Sequence, residues 1–207
     1  MIQKLSGSIL VTLCLAAGSA TADDVDAVAR ATAVRLAVGV CGTCHGRRGA
    51  SEQPKYPRLA GQNANYLGAQ LKAFRSQTRG DPDAIGYMWG MAGNLEDGTI
   101  DALSQYYSTQ VAGGGQGGAP ALMARGKTIY QEGVAAVGVP ACAACHGPDA
   151  HGIGDFPRLA GQHAQYVLKQ LSSFQSSMRN VAVMHGVAQG LKGEEMVAVA
   201  AFLEAQP

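Results

Sequence analysis

Apolar residues recur along most of this chain at steps of three and four, and Gly and Pro interrupt them. After Leu95, the positions Ile100, Leu103, Tyr106 and Tyr107 share one helical face, and Met196, Val199, Phe202 and Leu203 share another near the C-terminus. Residues 65–77 and 165–177 read as amphipathic helices, with Tyr66, Leu71, Phe74 and Tyr166, Leu171, Phe174 turned inward. Residues 26–40 and 121–131 are expected to form helices as well. No stretch alternates apolar and polar residues as a half-buried strand does, so the pattern predicts an all-α protein.

The start of the chain follows a different pattern. Lys4 precedes a short apolar run, residues 9–17, and Ala20-Thr21-Ala22 then places small residues where a signal peptidase reads them. Residues 1–22 are expected to be a cleaved signal peptide. The run falls short of the roughly 20 residues a membrane anchor needs. Bulky Leu13 before Cys14 argues against a lipoprotein. No later apolar stretch is expected to cross a bilayer.

The rest of the chain repeats itself. Cys41-Gly-Thr-Cys44-His45-Gly46 answers Cys142-Ala-Ala-Cys145-His146-Gly147, and Tyr56-Pro57-Arg58-Leu59-Ala60-Gly61-Gln62 answers Phe156-Pro157-Arg158-Leu159-Ala160-Gly161-Gln162. Tyr66, Gln70, Leu71 and Phe74 match Tyr166, Gln170, Leu171 and Phe174. Met88-Trp89-Gly90 matches Met184-His185-Gly186, and Leu95 matches Leu191. The register slips by only a few residues, as short loop insertions would cause. Between the halves, residues 113–120 are too rich in Gly for a helix or strand and read as a flexible linker. The expected domains are 23–112 and 121–207.

Domains this small bury little core unaided, and a large apolar cofactor would supply a staple. The formal charge is +1, near zero once Lys4 is removed, so there is no basic stripe for nucleic acid. An exported chain could join its cysteines in disulfides, but the residue after each pair suggests otherwise. Two thiols one helical turn apart can add to the two vinyl groups of a haem, and the adjacent histidine then faces the iron; this is the signature of covalent c-type attachment. A zinc site would combine its ligands into a closed tetrahedral set, and a thioredoxin-like pair would follow a strand, which is missing here; both fit less well than the haem motif.

Cys41, Cys44, Cys142 and Cys145 are therefore expected to hold two haem c groups, with His45 and His146 as proximal ligands. Methionine opposite histidine raises the potential and suits electron transfer. Met88 and Met184 are the matched candidates, and Met91 is the rival in the first half, where the second half has Val187. His185 as a ligand would give a bis-histidine site; it is expected at the surface, and His151 and His163 are expected to face solvent or to lie in loops. The Pro57 and Pro157 carbonyls are expected to accept the ring N–H of the proximal histidines. Arg58 and Arg158 are expected to pair with haem propionates. Gln62, Gln162, Tyr66 and Tyr166 would hydrogen-bond there or pack the haem edge.

On the two Cys-x-x-Cys-His motifs, the doubled Pro-Arg-Leu-Ala-Gly-Gln block with its following Tyr, the Met-x-Gly elements and the terminal helix, nearly the whole mature chain resembles the cytochrome c4 family. The resemblance implies two tandem class I cytochrome c domains about a pseudo-twofold axis, with axial pairs His45/Met88 and His146/Met184. It implies a periplasmic electron carrier, often at the membrane surface, between a quinol-oxidising complex and a terminal oxidase or reductase. Dihaem cytochromes of this build also serve as electron-accepting subunits of periplasmic oxidoreductases such as flavin-dependent sulfide dehydrogenases. A peroxidase or gas sensor needs an open iron position, which a methionine in each half would close.

Overall fold

The computed structural model describes residues 22–207; the expected signal peptide, Ala22 apart, lies outside them. Helix α1 (Ala22–Leu36) continues through a π-helical turn (Ala37–Cys41) into α2 (Gly42–His45). There follow α3 (Ala64–Arg75), a second π-helical turn (Ala84–Met88), α4 (Trp89–Ala92) and α5 (Asp97–Ser108). The second half has α6 (Pro120–Glu132), a 3-10 turn (Ala135–Val137), α7 (Ala143–His146), α8 (Ala164–Gln175), α9 (Ala182–Gly190) and α10 (Gly193–Glu204). Among the described residues there is no strand, only an isolated bridge between Val134 and Val139.

In each half the first helix packs on the last. Ala33 and Ala37 are buried with Leu67, Leu103 and Tyr107 where α1 meets α5. In the second half Ile129 and Tyr130 join Met196, Val199 and Leu203 where α6 meets α10. That crossing is close: a Cβ on Gly126 would lie 2.1 Å from the Ala198 carbonyl oxygen. Asn63 caps α3 by accepting from the Tyr66 N–H at 3.1 Å, satisfying one of the free donors of its first turn. α3 and α8 stop at equivalent places, because Gln77 and Ser177 adopt left-handed backbone with φ 59° and 61°.

One expectation is corrected. The stretch Asp26–His45 has the length and, at a mean hydropathy of 1.3, the composition of a membrane span. In the fold it buries Ala33 and Ala37 and leaves Val28, Val34, Val38 and Val40 exposed.

The two halves pack together through matched polar contacts. The Gln162 side-chain amide pairs with both backbone groups of Arg58, and Gln62 does the same with Arg158. Arg79 and Arg179, both buried, share the Gln70 and Gln170 carbonyls at 2.7–2.9 Å. Their outer nitrogens reach the opposite tyrosines, Arg79 to Tyr166 at 3.3 Å and Arg179 to Tyr66 at 2.8 Å. Each guanidinium also lies over a phenylalanine of its own half, Phe74 or Phe174, a favourable cation–ring contact. His163 lies in the loop before α8 but does not face solvent: it is 2 % exposed in this interface. Its Nε2 faces Ser51 O at 2.9 Å and its Nδ1 faces Glu204 Oε1 at 3.3 Å. The Gly-rich connection is tied to the second half by Gly115 N–H to Glu204 O at 2.8 Å.

Candidate functional site

Each Cys-x-x-Cys-His motif forms one helical turn, closed by a glycine whose backbone only glycine adopts easily: Gly46 has φ 75° and Gly147 φ 81°. The turn puts both cysteines within one turn of each other, and all four are free thiols. Burial pushes the Cys41 thiol up from its ordinary value and the Cys142 thiol up to about 11.

The histidine after each pair is buried and held in one orientation. His45 Nδ1 lies 2.9 Å from the Pro57 carbonyl oxygen, and His146 Nδ1 lies 3.0 Å from that of Pro157. A carbonyl only accepts, so Nδ1 carries the proton and the neutral ring presents the Nε2 lone pair. Burial lowers both histidines below their ordinary value, outweighing the opposite pull of the proline carbonyls. The rings are therefore neutral at neutral pH, the form that binds metal. Tyr56 and Phe156 set the ring planes edge-on, with centroids 6.2 and 6.0 Å away. Lys55 Nζ donates to the Tyr87 hydroxyl at 2.9 Å, a contact between residues whose counterparts in the second half are Asp155 and Val183. Sequence reasoning had assigned Tyr56 and Phe156 no role, although their repetition before the proline was a usable signal.

Met88 ends the second π-helical turn and packs with Phe74, Ala84 and Ala92; Met184 packs on the core of the second half. Met91 is 57 % exposed. His185 is half-buried, with Nδ1 2.8 Å from Phe174 O. The Arg58 guanidinium engages the carbonyl oxygens of Ser51 and Gly161, and that of Arg158 engages Ala160 and Pro207. Gln62, Gln162, Tyr66 and Tyr166 lie in the interface between the halves.

The residues fit a covalent haem in each half. Paired free thiols can form the two thioethers, a neutral imidazole fixed by a carbonyl offers one nitrogen, and a half-buried methionine of the same core offers a thioether sulfur.

A family model described as Cytochrome c matches residues 31–110 and 123–206. A cytochrome c4 of Stutzerimonas stutzeri is 34% identical over 214 aligned residues, covering 98% of this chain and 99% of that protein. The solved structure of Acidithiobacillus ferrooxidans cytochrome c4 matches with a TM-score of 0.75 at 39% identity, covering 80% of this chain and 98% of that one. A thiosulfate dehydrogenase electron acceptor of Thiomonas intermedia is 37% identical over 174 residues, covering 81% of this chain and 78% of that protein.

Proposed function

The chain belongs to the cytochrome c family and, within it, to the dihaem cytochromes c4, and from that premise we propose that it shuttles electrons in the periplasm between a quinol-oxidising complex and a terminal oxidase or reductase. Its domains are 23–112 and 121–207, joined by 113–120, after a cleaved signal peptide of residues 1–22. The observation that carries the reading is the doubled donor set: in each half a proline-anchored neutral histidine and a half-buried methionine accompany one thiol pair.

Cys41, Cys44, Cys142 and Cys145 hold the two haem c groups. His45 with Met88 and His146 with Met184 would be the side chains that hold the two irons. The bound iron supplies one-electron exchange between ferric and ferrous states. The protein's part is to hold both ligands in place, so that little rearranges when the charge changes. Pro57 and Pro157 fix the imidazole tautomer, and Met88 and Met184 each pack on the apolar core of their own half. With a histidine and a methionine of the chain holding each iron, no substrate would bond to the metal and transfer would be outer-sphere, the work of a carrier rather than an enzyme. The Arg58 and Arg158 guanidiniums, which here engage backbone oxygens, would pair with the haem propionates. Near-neutral net charge favours docking that is not purely electrostatic, whether to a soluble partner or at the membrane surface.

The test is a redox titration of the protein exported to the periplasm, with haem counted per chain and the methionine-to-iron charge-transfer band followed. Two haems, each with that band, are expected. Met88→Ala removes the band from one site and lets carbon monoxide bind there, while Met91→Ala changes neither. Ready carbon monoxide binding by the unaltered protein would refute the closed-site reading.

A second reading is favoured by the similarity to the thiosulfate dehydrogenase electron acceptor. The chain would then be the electron-accepting subunit of a periplasmic oxidoreductase, as dihaem cytochromes are of flavin-dependent sulfide dehydrogenases. Stoichiometric co-purification with such an enzyme would distinguish it.

A further inference from the structure

The Pro57–Arg58 peptide group is bonded at both ends. Its oxygen accepts the proton of His45 Nδ1 at 2.9 Å, and its N–H donates to Gln162 Oε1, in the other half, at 2.9 Å. The Pro157–Arg158 peptide is arranged the same way, with His146 Nδ1 at 3.0 Å on its oxygen and Gln62 Oε1 at 2.8 Å from its N–H. One conjugated group thus stands between each proximal histidine and a glutamine of the opposite domain.

The glutamines are fixed in this orientation. Gln162 Oε1 also accepts from His163 N–H at 3.0 Å, while its Nε2 donates to Arg58 O at 2.9 Å. Gln62 Oε1 also accepts from Asn63 N–H at 2.9 Å, while its Nε2 donates to Arg158 O at 2.9 Å. Turning either amide over would set its NH₂ against two N–H donors and its oxygen against a carbonyl. Both glutamines are buried, where hydrogen bonds in series polarise one another most strongly.

We propose that each domain tunes the reduction potential of the other's site through this peptide relay, Gln162 acting on His45 and Gln62 acting on His146. The inference rests on histidine ligation as read above. An acceptor on the peptide N–H draws electron density toward the peptide oxygen, because C–N resonance joins the two. The oxygen then pulls harder on the imidazole proton, and the ring becomes a more basic ligand. A more basic ligand favours the oxidised state and lowers the potential. Gln62 and Gln162 are positioning residues: they touch neither ligand nor iron. Each potential therefore depends on the opposite domain being docked, and a partner that shifts the interface would shift both.

The experiment uses the full haem-loaded protein. The two sites are assigned by paramagnetic NMR, their potentials are measured separately, and the exchangeable Nδ1 proton of each histidine is followed. Gln162→Ala is expected to raise the potential of the His45 site alone and move its Nδ1 proton. The change is a few-fold, up to about tenfold in the oxidised-to-reduced ratio, or at most about 59 mV for one electron. Gln62→Ala is expected to do the same to the His146 site alone. Gln162→Glu, which keeps the acceptor and strengthens it with charge, moves the His45 site downward. Equal shifts of both sites in every variant would mark a general loosening and overturn the relay, as would no shift at all. Absence of histidine Nδ1 resonances from a ligated imidazole in the unaltered protein would overturn the ligand reading, and the relay with it.

Discussion

Asp81 sets the terms on which charge is buried between the halves. Its carboxylate meets Arg79 Nε at 2.7 Å with 2 % of the side chain exposed, while Val181 stands at the matching place in the second half. Two buried guanidiniums therefore share one carboxylate, and amide and phenol oxygens supply the remaining acceptors. Burial alone would raise Tyr66, but Arg179 and Arg79 overcome that and lower it. Asp81 behaves likewise: burial pushes it up, and the Arg79 charge and hydrogen bond hold it below its ordinary 3.8. A carboxyl so depressed contributes its full stability above that ordinary value and loses it as the pH falls through the lowered one. Asp81→Asn, which leaves Arg79 buried without its partner, is expected to cost about 3–5 kcal/mol at neutral pH. Denaturant titrations should show the gap from the unaltered protein closing as the pH falls from 3.8 through the lowered value of Asp81; a gap constant with pH would mean that the ion pair is not its source. None of this was legible beforehand, since Asp81 belongs to no repeated motif. The cysteines and histidines were legible because their chemistry sits in five consecutive residues.

At the scale of elements, one close backbone approach is a helix crossing. Gly126 lets α6 lie against the backbone of α10, and any Cβ there meets the Ala198 oxygen. Gly126→Ala is expected to force the helices apart and destabilise the second half by about 1–3 kcal/mol or more. Gly98→Ala, in the first turn of α5, meets only Ala29 Cβ at an ordinary 3.6 Å, and is expected to be neutral or to gain a few tenths of a kcal/mol. Calorimetry of the two variants separates them, and equal melting temperatures would refute the steric account. The helices at 65–77 and 165–177 were readable to within two residues, because their apolar faces repeat at helical spacing. The π-helical turns were not: they shift the backbone register beside Cys41 and Met88 without changing the apolar pattern.

At the scale of the whole molecule, the question is whether two domains behave as one. Gln70 and Gln170 each accept from both interface arginines. Replacing both by Ala leaves buried guanidinium N–H groups without acceptors, at about 1–3 kcal/mol for each orphaned group. Unfolding is expected to be a single transition in the unaltered protein and to separate into two in the double variant. One unsplit transition in the double variant would mean that the domains are coupled by something other than this cluster. The Gly-rich connection by itself allowed many placements of one domain on the other.

By itself the sequence determined the all-α class, the duplication and the chemistry of the two haem-bearing turns, because each is written in short-range spacing: period 3.6 for helices, one turn for the thiol pair, and one repeat length for the domains. Only the tertiary structure decided where Gln62, Gln162, His163 and the paired arginines point. These residues are polar, and a polar residue in a sequence is expected to face water. Burial is possible for them only because the other domain brings matching donors and acceptors from about a hundred residues away, and no local pattern encodes that match.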